Sequence, residues 1–334
     1  MTQSSVLSSQ FSVWLVRLLL AALLMFGSEI LVWVNPPGRS LVDWLLLLPG
    51  YVLLATLLLD FTVRYRVHDL FGALVLAGIY SLLAALILNP QYAFLDMPRT
   101  FITRVMGAHA LLGLEMIGLL LALTGGNKRG VRRLLLAGSI VVGAAWGIWV
   151  RWWPVDEGLA AVDLMTMLAY GAAGLAIIGG LLAFVPARTA NLTPDHLRLS
   201  RGGWGGLFLA LVALFVLRLL TTGIDLGGLI LSAILLVICW AILWFRERAK
   251  GDSLLDGHVP MRRLSPGVIV TGLILFTAAA IAVYHLPLIQ IGQVNQLTLI
   301  GVGFTAYGLA WLPTVSLVLG ARAYGRQINQ GRAV

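Results

Sequence analysis

A single cysteine, Cys239, stands in 334 residues, so no disulfide can form within the chain and no set of thiolates can hold a metal ion. Charge is scarce as well. Asp, Glu, Lys and Arg supply 11% of the residues, against about 25% in an ordinary soluble domain. With 60% of the sequence hydrophobic and a mean hydropathy of +0.94, there is too little polar surface to clothe a water-soluble globule. Signatures of catalysis are missing too. The chain has no Gly-x-x-x-x-Gly-Lys-Ser/Thr phosphate loop, no His-Glu-x-x-His, no Gly-x-Ser-x-Gly, no Cys/His cluster and no paired-aspartate motif of prenyl transfer. An ATP-driven role would therefore need a second subunit. The longest polar stretches, 186–203 and 246–266, are too short to fold around a core of their own.

What remains is a succession of apolar blocks. A membrane-spanning helix needs about 20 predominantly apolar residues, and that ruler finds ten spans: 11–34, 41–61, 69–88, 101–123, 134–151, 159–185, 204–222, 227–245, 267–285 and 298–320. Breakers punctuate them at Asn35-Pro36-Pro37-Gly38, Asn89-Pro90, Gly125-Gly126-Asn127, Arg151 to Glu157, Pro186 and Ser265-Pro266-Gly267, the last read as a cap and first helical residue. The expected fold is an all-α polytopic integral membrane protein, one transmembrane domain over residues 1–334. The first block reads as an uncleaved helix, because no basic segment precedes it and its apolar pattern continues past Gly27-Ser28 to Val34. An inverted repeat of spans one to five and six to ten is not supported. Pro49-Gly50 falls in the second span and Pro313 in the tenth, positions that such a plan would not pair.

A net charge of +9 would suggest a nucleic-acid partner if it formed a patch on a soluble domain. Here the basic residues sit in short loops, so no nucleic acid is expected. They favour alternate loops. The even-numbered loops and the tail carry Arg64, Arg66, Lys128, Arg129, Arg132, Arg133, Arg188, Arg198, Arg201, Arg246, Arg248, Lys250, Arg262, Arg263, Arg322, Arg326 and Arg332. The odd-numbered loops hold Arg39, Arg99 and Arg151. Basic residues in short loops stay on the cytoplasmic side, which places both termini inside a bacterial cytoplasmic membrane with lipids as the immediate partners.

An ionisable side chain inside a bilayer is costly, so each asks for a partner or a purpose. Glu29, Asp43, Asp163, Arg218 and His285 all fall toward the outer ends of their spans. The fourth span gathers Arg104, His109 and Glu115 in one apolar helix. At about 100° per residue Arg104 and Glu115 share a face with His109 turned away from both, and about 16 Å of axis separates the pair. The candidate ligand or ion contacts are Glu115, His109, Arg104, Glu29 and Asp43. Arg17 with Asp60, and Arg218 with Asp225, read as structural ion pairs.

After the fifth span comes Trp146-Gly147-Ile148-Trp149-Val150-Arg151-Trp152-Trp153-Pro154. Trp149, Trp152 and Trp153 form an aromatic platform where interfacial tryptophans belong. Over about a dozen residues this segment resembles the tryptophan-rich haem-handling segment of cytochrome c assembly proteins, departing from it in Arg151, Pro154 and the lack of a flanking histidine pair, with only His109 and His285 on that side. The resemblance implies haem; the residues themselves point to no cofactor and no metal. Gly143 and Gly147, four apart, mark a close helix contact, and Pro49-Gly50 a broken helix. The leading functional expectation is a permease for a small polar or amphipathic solute with an outward-facing polar site. The alternatives are a non-catalytic membrane subunit or assembly factor, and an outer-face enzyme or haem subunit.

Overall fold

The computed structural model describes all residues except 1–2, 33–40, 157, 159, 223–224, 247–251, 291, 293 and 332–334. The turn at Asn35-Pro36-Pro37-Gly38, and Arg39, Glu157, Arg248, Lys250 and Arg332, lie outside them. Among the described residues there are ten helices long and apolar enough to cross a membrane, and no strand.

Helix α1 (Gln3–Met25) continues as a π-helical segment, Phe26–Val32. Then follow α2 (Leu41–Arg64), α3 (Leu70–Ile87) and the short α4 (Pro90–Ala93). A second π-helical segment, Phe101–His109, leads directly into α5 (Ala110–Thr124). The remainder is α6 (Arg129–Asp156), α7 (Leu164–Arg188), α8 (Arg201–Thr222), α9 (Leu226–Arg246), α10 (Pro266–Tyr284) and α11 (Gln296–Gly331). Aspartates start three of them. Asp69, Asp163 and Asp225 accept from the backbone amides of Gly72, Thr166 and Gly228, meeting donors that a helix start leaves unpaired. Ser265 stands at the N-cap of α10 with Pro266 next, but its hydroxyl makes no capping bond.

Three expected interruptions are not interruptions. Pro49, Pro154 and Pro186 all lie inside their helices, and α6 runs on through Arg151 to Asp156. Proline removes one amide and crowds one carbonyl, which a helix packed on its neighbours can absorb. Gly50 serves packing instead: a Cβ there would come within 2.3 Å of the Leu88 side chain.

The helices divide into a centre and a surround. In α1, α2 and α3, 78%, 76% and 78% of the most apolar stretch is buried, whereas in α8 the share is 6%. Val16, Leu19, Leu23, Leu54, Leu76 and Tyr80 are all fully or nearly fully enclosed. Outside them α6 and α10 pair backbone to backbone, since a Cβ on Gly143 or Gly147 would meet the carbonyl oxygen of Phe276 or Ala280 at 2.3 Å. Small residues permit that approach. Gly107 and Gly308 do the same for the second π segment and α11, where added Cβ atoms would meet Phe304 O at 2.4 Å and Ile102 O at 2.1 Å. At the end of the bundle where the arginine-rich loops lie, residues 252–264 stitch three junctions: the Leu254 amide donates to Val67 O, Arg262 to Thr124 O and Met261 to the Thr189 hydroxyl.

Candidate functional site

The two π-helical segments meet in the interior, and their polar side chains meet with them. Glu29, on the first, is 1% exposed. Its Oε1 accepts from the Tyr51 hydroxyl at 2.5 Å and from the Asn89 amide at 3.0 Å. Next to it the Ser28 hydroxyl and His109 Nε2 are 3.2 Å apart, and His109 Nδ1 is 3.1 Å from the Arg104 carbonyl. Both ring nitrogens of His109 are thereby engaged. Tyr80, fully buried, turns its hydroxyl toward Ser28 and Glu29. A buried carboxylate is tolerated where donors meet it. Here they come from α2 and from the end of α3.

The π geometry alters the spacing along this segment. In this segment backbone bonds reach five residues back rather than four, and His109 to Arg104 spans the same five. Counting 100° per residue from Arg104 to Glu115 therefore fails across Phe101–His109, so the shared face expected for that pair does not follow. The tryptophans of α6 belong to the same construction. Trp146 and Trp149 donate their indole N–H groups to the carbonyls of Ile30 and Val32, at 2.9 and 2.6 Å.

The other expected residues are dispersed. Trp149 stacks on Trp153 with ring centres 5.6 Å apart, while Trp152 lies under the Arg151 guanidinium. Arg151 in turn donates to Tyr284 O at 2.6 Å. Asp43 is exposed in the first turn of α2. His285 is exposed beside Tyr284. Asp60 does not take Arg17 as its ion-pair partner; Arg64, one turn on, binds it at 2.7 Å, with Leu199 N and the Trp204 indole completing its shell. Arg17 is close enough to feel Asp60 but donates to Leu197 O. Nor do Arg218 and Asp225 meet: Arg218 donates to Ile87 O at 3.3 Å, and Asp225 caps α9. In both cases the aspartate has a nearer partner, Arg64 one turn on or the Gly228 amide three residues on, and the arginine turns to a backbone carbonyl on another part of the chain.

Glu115 is in none of these networks. It is exposed on the wall of a second feature, an apolar cavity of about 470 Å³ between α1, α5, α6, α7 and α10. No group of three or more His, Cys, Asp or Glu residues suited to a metal occurs among the described residues.

Spacing alone missed Ser28, Tyr51, Tyr80 and Asn89. Three of them lay beside signals given another meaning: Ser28 in a small-residue pair, Tyr51 just after Pro49-Gly50, and Asn89 in a turn dipeptide. Compared with protein-family models, curated proteins and solved structures, the chain matches none of them.

Proposed function

We propose that the chain is a multi-pass permease of a bacterial cytoplasmic membrane, moving a small polar or amphipathic solute, with both termini and the arginine-rich loops on the cytoplasmic side. The observation that carries this reading is the interior carboxylate of Glu29, clasped by Tyr51 and Asn89 with Ser28 and His109 alongside. Ionisable groups placed among hydrocarbon are costly and mark the paths of ions and solutes. Backbone of π form recurs at functional sites, and two such segments border this one. The cluster lies toward the end opposite the basic loops, the outer end in this orientation, and Asp43 and Arg104 stand nearer that end on their own helices. Lipids are the surroundings, and the reading invokes neither metal nor cofactor.

The test is uptake by proteoliposomes of the purified chain, using radiolabelled choline and ethanolamine as small cationic probes. The wild type accumulates at least one of them, and Glu29→Gln lowers the initial rate by about tenfold or more. No uptake of either, together with stable co-purification of other membrane proteins, would put the subunit or assembly reading in its place.

A further inference from the structure

The cavity beneath Glu115 has its own chemistry. Its walls are hydrocarbon from five helices, with Phe26 and Phe276 as the aromatic members and Ser139 as the hydroxyl. Ser139 is spent, donating to Leu135 O at 2.8 Å. Phe276 is held in place by stacking on Trp146, ring centres 5.2 Å apart. That leaves the Glu115 carboxylate as the group on the wall with hydrogen-bonding capacity to offer, and it has no hydrogen bond or ion pair among the described residues. Nearby on α11 the Tyr307 hydroxyl is buried and has no hydrogen-bond partner among the described residues. Along α5 the lining runs from Glu115, near the middle of the helical stretch 101–124, toward Leu123 at the basic end. One carboxyl group thus stands at one end of the lining that α5 contributes.

A volume of about 470 Å³ falls within the range of small-molecule sites, about 300–1,000 Å³. The shape and charge select the occupant. An alkyl chain buries apolar surface against the leucines and valines, and a positive head group offsets the carboxylate, with aromatic rings on the same wall to favour a cation. An anionic or neutral head would leave Glu115 without its counter-charge. We propose that this cavity is a binding site for a single-chain cationic amphiphile, its ammonium head on Glu115 and its chain directed toward the basic end. The site goes beyond the permease reading and does not need it, since it is a statement about equilibrium binding and not about movement.

Two glycines on the wall make the test clean. A Cβ added at Gly118 or Gly179 meets nothing within 4 Å, so either wall position has room to start a longer side chain. The experiment is saturation binding of radiolabelled decyltrimethylammonium to the full chain in maltoside micelles, read by scintillation proximity. Binding should saturate and be displaced by unlabelled decyltrimethylammonium, but not by decanol or decanoate at the same concentration. Glu115→Gln should raise the Kd by about tenfold or more, Glu115→Asp by less, and Gly179→Leu should abolish binding with the carboxylate intact. Equal displacement by decanol or decanoate, or an unchanged Kd in Glu115→Gln, would overturn the proposal, because the cavity would then accept chains without reading their heads. So would the absence of saturable binding to the wild type. Should Glu115→Gln fail to fold, the head-group competition and Gly179→Leu decide the matter alone. Failed uptake in proteoliposomes leaves this result untouched, and failed binding here leaves the Glu29 reading untouched.

Discussion

Single side chains in this protein act mostly by satisfying someone else's backbone or charge. Tyr51 is the clearest instance, since its hydroxyl is one of two donors to the enclosed Glu29 carboxylate. Tyr51→Phe keeps the ring and removes the donor, so it should lower stability by about 1–3 kcal/mol, the cost of leaving a buried acceptor short, read as a fall in unfolding temperature in micelles. Asp163 works at the surface. Hydrogen bonds from the Thr166 hydroxyl and amide hold its carboxyl below the usual carboxylate range. A depressed acid contributes stability that is present above its unfolded pKa and lost as pH falls through its folded pKa. Amide exchange in the first turn of α7 should therefore be faster in Asp163→Ala than in wild type at neutral pH, and the two should converge in strong acid. An exchange difference that persisted there would contradict this assignment. Residue by residue, Glu29 and His109 were legible as oddities in apolar helices. Their partners were not, because a tyrosine or asparagine beside a turn signal looks like any other until the fold brings it across 22 or 60 positions of chain.

At the level of elements, glycines decide which helices touch by backbone and which only by side chain. Gly143→Leu or Gly147→Leu would push α6 off α10, and overpacking of this kind costs about 1–3 kcal/mol or more. Gly118→Ala in α5 meets nothing and should be neutral or gain up to about 1 kcal/mol from helix propensity. Parallel thermal unfolding of the three variants checks the contrast. The length and order of the helices were readable because an apolar run of about 20 residues has few other meanings. Gly143 and Gly147 were readable as a contact because their spacing is that of one helical face. The π-helical form of Phe26–Val32 and Phe101–His109 was not, since no residue preference announces a backbone that winds one residue wide. Prolines misled in the opposite direction, because a missing amide reads as a stop in isolation and as a tolerable defect inside a packed bundle.

On the scale of the whole molecule, most of each of the first four spans is buried among the described residues, and a third or less of each of the six that follow. The proposed orientation has a convenient assay, because Cys239 is wholly buried and new cysteines can be placed in the natural sequence without replacing it. Lys128→Cys and Asp195→Cys should react with a membrane-impermeant maleimide only when the cytoplasmic face is exposed, and Asp96→Cys only from the other face. The reversed pattern would invert the topology, and labelling of all three from one side would dissolve it. The interior and the cavity are joined by one continuous rod: the segment 101–124 carries His109 in its wide-wound part and Glu115 six residues later in its ordinary part. A helix of this kind behaves as a gear with one tooth too many. Deleting one residue from the wide-wound part, as in removal of Ile102, lets that part close to ordinary winding and keeps Glu115 on its wall, whereas the same deletion within Ala110–Thr124 turns everything beyond it by about 100°.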